Sequence, residues 1–349
     1  MKRLLVLFSA VLMALYGVAA PAFGGTGRIR HVFVINLENK GFDRTWGTGS
    51  AAPYLSQTLR AHGELLTQYY GTAHASLGNY IAQISGQGPN PATQLDCPFY
   101  FDFLRLTTVS AGQAAGLGCV YPVSVPTVAD QLSARGLSWK GYMQDMGTPC
   151  RHPSPNTFDS TQQAKADDEY AARHDPFVYF HSIVDSPSCA SGVVDLSALP
   201  ADLAGSTPNL AYITPDLCED GHDAPCADGR PGGLTSADAF LRTWVPRIMA
   251  SPAYRSGGLI VITFDESDGP TSDSSACCGE GPGPNTPLPG LLGLGGGRVG
   301  ALLLSPYVKA GASSSTPYNH YGLLRTIEDL FGLGHLGYAS TASGFFAKP

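Results

Sequence analysis

The residues GLIVITFDE (258–266) decide the fold. From Leu259 to Phe264 the run is apolar and rich in β-branched side chains, with no alternation, and it ends on two adjacent carboxylates, Asp265 and Glu266. Such a run reads as a strand buried on both faces, the kind found in parallel sheets. HVFVINLE (31–38), SWKGYMQD (138–145), NLAYITPD (209–216) and VGALLLSPYV (299–308) share its character. Between them lie helix-like stretches: YLSQTLRAHGELL (54–66), TVADQLSARG (127–136), ADAFLRTWVPRIMA (237–250) and YGLLRTIEDLFG (321–332). Strand and helix alternating in this way predict an α/β fold, a three-layer α/β/α sandwich with a mostly parallel central sheet. No repeat or linker interrupts residues 30–340, so 25–349 is expected to form a single domain.

The carboxylates sit at a telling place. Glu38, Asp145, Asp216 and the pair Asp265–Glu266 each end an apolar run. In open α/β sheets the carboxyl ends of strands line the functional crevice. Asp favours turns, which accounts equally well for Asp145 and Asp216. It accounts less well for Asp265 beside Glu266, or for Glu38–Asn39 after VFVINL. Like charges at the end of a buried strand repel and lose hydration unless a cation compensates them, and oxygen ligands suit a hard divalent metal.

Composition narrows the choices. Of 349 residues only 14% are charged, 43% are hydrophobic, and the net charge is −7. The chain has ample material for a large core and no basic footprint for nucleic acid or anionic lipid. Gly (42) and Pro (27) without a period imply many shaped loops. Lys2 and Arg3, the apolar run LLVLFSAVLMALYGVAA and small residues near Ala22 read as a signal peptide over 1–24, so a secreted protein with no stable membrane anchor is expected; an uncleaved anchor is the alternative. The cysteines, 8 in all, none in CxxC spacing, then read as disulfides. Proximity suggests Cys97–Cys119 and Cys218–Cys226, and leaves Cys150, Cys189, Cys277 and Cys278 open. Adjacent Cys277 and Cys278 are expected to staple different loops.

In GTAHASLGNYIAQISGQ (71–87), Ser76 precedes a helix-compatible stretch. An N-cap serine is the ordinary reading. The same position sets a hydroxyl at the positive end of a helix, where a phosphoryl oxygen is held and where a metal would activate a nucleophile.

ENKGFD (38–43), HASLGNYIAQISG (74–86), RHDPFVYF (173–180), LCEDGHD (217–223), IVITFDE (260–266) and PYNHYGLLRTIEDLFGL (317–333), in this order, resemble the bacterial phosphoesterase family of acid phosphatases and phospholipases C, a branch of the alkaline phosphatase superfamily. The order is also similar to that of secreted acid phosphatases acting on phosphatidylinositol 3-phosphate. The resemblance spans roughly 30–340 and implies an alkaline phosphatase-like fold. It implies Glu38, Asn39, Ser76, Asp265 and Glu266 as metal ligands, Ser76 as nucleophile and Asn79 as a phosphoryl contact. His174, His222 and His320 are implied to face the pocket as catalytic residues. Asp220, Asp223 and His74 are candidates to support them from behind. HASLGN departs from the family by lacking a proline on either side of the serine, and Asp216 and Glu219 stand where many relatives have Asn.

The function expected is a secreted, metal-dependent acid phosphatase that hydrolyses phosphate monoesters, including phosphoinositides, through a phosphoserine. The metal is Mg, Ca, Mn or Zn, and no nucleic-acid partner is expected. The alternatives are a phospholipase C-type phosphodiesterase, disfavoured by the modest length and the lack of a C-terminal lipid-binding domain, and a non-catalytic secreted binding protein, disfavoured by the presence of Ser76 and the acidic pair. The substrate is left open, because no basic cluster marks an inositol headgroup site.

Overall fold

The computed structural model describes residues 29–345. The expected leader over 1–24 lies outside them. An eight-stranded sheet organises the chain: β1 (His31–Leu37), β2 (Glu64–Leu66), β3 (Trp139–Met143), β4 (Val193–Asp195), β5 (Leu210–Thr214), β6 (Gly258–Phe264), β7 (Ala301–Leu304) and β8 (Ala312–Ser314). Their spatial order is β8-β2-β7-β6-β1-β5-β3-β4. Every pairing is parallel except the two made by β7, so the sheet is mostly parallel, as its unbroken apolar strands require.

The helices that matter for the site are α1 (Ser76–Ser85), α2 (Val128–Ala134), α3 (Gly233–Ala250) and α4 (His320–Phe331). α1, α2 and α4 pack on one another, whereas α3 packs with the short helices 199–204 and 252–257, giving one helical layer on each face. Val32 to Ile35 and Leu259 to Ile262 are fully buried between these layers. Truncating a residue such as Ile262 to Ala there costs about 2–5 kcal/mol. Among the described residues no helix is long and apolar enough to cross a membrane.

Two expectations need correction. The stretch 54–66 is not one helix: Tyr54–Leu59 and Arg60–His62 are short helical turns, and Glu64–Leu66 leaves them as β2. Gly63 is the break, packed so closely on β7 that a Cβ would lie 2.4 Å from the Leu303 carbonyl oxygen. Nor do Cys277 and Cys278 staple different loops. They are bonded to each other, because the remaining cysteines pair as Cys97–Cys119, Cys150–Cys189 and Cys218–Cys226. The two pairs suggested by proximity are present.

Candidate active site

The register of β1 against β6 builds the site. Leu37 pairs with Phe264, so Glu38 and Asp265 leave adjacent parallel strands side by side at the same edge. Asn39 then turns the chain with φ 55°, a left-handed conformation that Asn tolerates better than most residues. Its backbone N–H donates to Asp265 Oδ1 at 3.0 Å.

Over this edge stands the N-terminus of α1. Ala75 is the N-cap, and Ser76, the first helical residue, caps nothing. Its hydroxyl donates instead to Glu38 Oε2 at 2.8 Å. One turn later the Tyr80 hydroxyl donates to Glu38 Oε1. The ring of Tyr80 stacks on that of His174 at 5.4 Å. His174 Nε2 lies 3.4 Å from Glu38 Oε2, and its Nδ1 lies 3.0 Å from Asp220 Oδ2. The Cys218–Cys226 disulfide closes the loop that carries Asp220, His222 and Asp223.

Glu38, His174, Asp220 and Asp265 are all buried. Burial pushes the Glu38 carboxyl well above its ordinary range, with repulsion from Asp265 and Asp220 adding to it and the Tyr80 and Ser76 hydroxyls opposing. Burial likewise raises Asp265 and Asp220. It lowers His174 well below the usual imidazole value, helped by Arg173 and His222. Three atoms around Glu38 are buried without a hydrogen-bond partner: Asn39 Oδ1, Asp265 Oδ2 and His174 Nε2. Each is a Lewis base. Oxygens from Glu38, Asn39 and Asp265, with the imidazole beside them, form a donor set that fits a divalent cation.

Asn79, Glu266 and His74 form an adjoining group. The Asn79 Oδ1 accepts from the N–H groups of Thr72 (2.8 Å) and Ala73 (2.9 Å), and its Nδ2 donates to the Ala73 carbonyl. The side chain thus ties down the turn that leads into Ser76, and its Nδ2 lies 3.5 Å from Glu266 Oε2. Glu266 turns from Asp265 toward His74, whose Nδ1 is 2.6 Å from the same oxygen. With His74 Nε2 donating to the Asp273 carbonyl (3.0 Å), that contact requires a proton between imidazole and carboxylate. Burial raises Glu266 and lowers His74, bringing the two proton affinities together.

His320 lies behind Asp265. Its Nε2 donates to the Asp265 carbonyl at 2.5 Å, and its Nδ1 accepts from the Tyr69 hydroxyl at 2.9 Å. Burial lowers it to about 4, and with both nitrogens occupied it orients the Asp265 backbone. His222 stands at the outer rim, partly exposed, with Nδ1 2.7 Å from Asp223 Oδ1 and Nε2 3.4 Å from the Arg173 guanidinium.

Sequence reading missed Tyr80, Arg173 and Asp96. Tyr80 follows Ser76 by four residues and so shares its helix face, a signal that was readable. Arg173 is buried beside His222 and Asp96, and Asp96 Oδ1 accepts from the Leu77 N–H at the start of α1. Those links cross long stretches of chain and leave no local pattern.

The sequence profile of the Phosphoesterase family matches residues 50–334. An acid phosphatase of Aspergillus fumigatus is 25% identical over 306 residues, 87% of this chain and 55% of that protein. A phosphatidylinositol-3-phosphatase of Mycobacterium tuberculosis is 23% identical over 312 residues, 89% of this chain and 80% of its own. The chain spans little more than half the length of the fungal acid phosphatases it matches. Among solved structures, a protein of the alkaline phosphatase superfamily from Vibrio parahaemolyticus superposes with a TM-score of 0.51 at 12% identity, covering 90% of this chain and 71% of that one, a likeness of fold.

Proposed function

Because the chain belongs to the Phosphoesterase family, we propose that it is a metal-dependent acid phosphatase that hydrolyses phosphate monoesters through a phosphoserine at Ser76. One observation carries this reading: Ser76 does not cap its own helix but points its hydroxyl at Glu38, at a strand edge where Asn39 Oδ1, Asp265 Oδ2 and His174 Nε2 are buried without hydrogen-bond partners. Glu38, Asn39 and Asp265 would hold the cation, with His174 at its side and Glu266 one step outward. When bound, it supplies Lewis-acid stabilisation of charge on the serine and phosphoryl oxygens.

The chain's own groups do the rest. Tyr80 and Ser76 fix the Glu38 carboxylate from two sides, Asp220 fixes the His174 ring, and Asn79 holds the turn that aims the serine. Ser76 Oγ attacks phosphorus, its proton passes to Glu38 Oε2, to which it already donates, and the bond from phosphorus to the alcohol oxygen breaks. The departing oxygen takes a proton from His222, oriented by Asp223, while Arg173 lends positive charge to the rim. Water then cleaves the phosphoserine and releases inorganic phosphate. Asp96 and the start of α1 supply the anchored end on which this geometry depends.

Phosphate monoesters, phosphoinositides among them, are the substrates favoured by the names of the relatives. Residues 1–24 as a leader and the paired cysteines favour an extracellular location, with 25–349 acting as a single phosphoesterase unit. A phosphate-release screen on p-nitrophenyl phosphate, phosphatidylinositol 3-phosphate and bis-p-nitrophenyl phosphate tests the proposal. Normal turnover by the Ser76→Ala variant, or a preference for the diester, would overturn it.

A further inference from the structure

Asp145 and Asp216 follow β3 and β5 at the same sheet edge as Glu38, yet neither joins the candidate active site. They line a different cavity of about 350 Å3, with Glu169, Asp195, Asp228 and Arg230 among its walls. Clustered acids are common on surfaces, and the feature that sets this cavity apart is Glu169. That residue is 4% exposed. Its Oε2 accepts from Arg230 at 2.9 Å, but its Oε1 is buried with no hydrogen-bond partner.

Asp216, 6% exposed, brings a carboxylate oxygen within 4.8 Å of Glu169. Its Oδ1 accepts from the N–H groups of Cys218 (3.1 Å) and Glu219 (2.8 Å). Arg230, the cationic residue among those lining the cavity, is already divided among Glu169, Glu219 and Asp228. Two buried carboxylates therefore lie close together, and of the two only Glu169 is bonded to the guanidinium, an arrangement that desolvation makes costly. The nearby Cys218 sulfur is bonded to Cys226 and cannot act as a ligand, so the available donors are oxygens.

We propose that this cavity is a calcium site, built on Glu169 and Asp216, with Asp145 and Asp228 supplying further oxygens. The donors come from separate segments in no regular arrangement, which suits the variable coordination of Ca2+ better than the strict octahedron of Mg2+. The site also has a mechanical link to its neighbour, since the Asp216 carbonyl accepts from the Asp220 N–H at 2.8 Å. An ion here anchors the loop that carries Asp220 and His222.

The test uses metal-stripped full-length protein carrying Glu38→Gln and Asp265→Asn, which removes the other candidate cation site from the count. Calorimetric titration with CaCl2 is expected to show one ion per chain, and Ca2+ to raise the melting temperature. Adding Glu169→Gln or Asp216→Asn is expected to weaken binding at least tenfold and to remove the thermal shift. If either fails to fold by circular dichroism, Asp145→Asn, at an exposed residue, is expected to weaken binding at least threefold. Absence of Ca2+ binding, unchanged affinity in the folded variants, or a cavity that takes choline chloride in preference to CaCl2 would overturn the proposal.

Discussion

Ser76 and Tyr80, one helical turn apart on α1, donate to the two oxygens of a single carboxylate, Glu38. The helix therefore delivers the proposed nucleophile and its carboxylate clamp from one face. Ser76→Ala is expected to fold normally and lose about 10³-fold or more in turnover, because the proposed attacking atom itself is gone. Tyr80→Phe removes only the hydroxyl clamp and keeps the ring that stacks on His174, so a loss of about 10–100-fold is expected. Steady-state assays on p-nitrophenyl phosphate check both. A Tyr80→Phe variant as impaired as Ser76→Ala would mean that the tyrosine takes part in the chemistry directly.

The crowding of Glu38, Asp265 and Asp220 leads to a second expectation. Without a cation, burial holds all three carboxyls above their ordinary range, repulsion from Asp265 and Asp220 raises Glu38 further, and the fold bears the cost. Adding Mn2+ at about 100 times its dissociation constant to EDTA-treated protein should stabilise it by about 2.7 kcal/mol, or several degrees of melting temperature. Glu38→Gln should abolish most of that gain. Identical melting curves for wild type with EDTA and with Mn2+ would remove the case for a cation at this edge.

The fold was legible where burial on both faces leaves an unbroken apolar run, as in Val32–Leu37 and Leu259–Phe264. It was not legible at β2 and β8, three residues each, where Glu64–Leu66 reads as the end of an amphipathic helix and only Gly63 marks the break. The site followed the same division. Glu38 and Asp265 stand out because a charge directly after a buried strand demands a reason. The commitment of His320 to the Asp265 backbone and of Asn79 to the turn 72–75 depends on partners far along the chain or on a fold-back that no spacing announces. The Cys277–Cys278 bond was missed because pairing is settled by which partners remain in reach.

Away from the site, Glu328 on α4 offers a pH test. The residue is fully buried, its Oε1 accepts from the Leu336 N–H at 2.8 Å, and its Oε2 has no partner. Burial pushes it up to about 8, with Arg325 opposing and Asp329 adding to the rise. The folded protein therefore holds this proton more tightly than the unfolded chain does. The stabilisation is complete below the ordinary glutamate range and is lost as pH rises through about 8. Glu328→Gln keeps the acceptor and removes the titration. Its melting temperature should match wild type near pH 4.5 and exceed it at pH 8.5 by the equivalent of about 1–3 kcal/mol. Parallel pH profiles for the two proteins would show that Glu328 does not titrate in this range.

The final prediction separates His222 from the buried histidines. His320 is buried with both nitrogens committed, and His174 is buried against Glu38 and Asp220, whereas His222 is partly exposed at the rim, its Nδ1 fixed by Asp223 and its Nε2 held only by a long 3.4 Å contact from Arg173 that a departing oxygen can displace. A proton donor to the departing oxygen matters most when that oxygen is strongly basic. p-Nitrophenolate leaves readily unprotonated, while an alkoxide such as that of an inositol or glycerol phosphate does not. His222→Asn should therefore lower turnover of an alkyl phosphate by about 10²-fold or more, and that of p-nitrophenyl phosphate by clearly less. Asp223→Asn should show the same pattern in weaker form, since it acts by orienting the ring. The measurement is a leaving-group series on both variants. Equal losses across the series would assign His222 to phosphoryl binding alongside Arg173 and leave the proton to come from elsewhere.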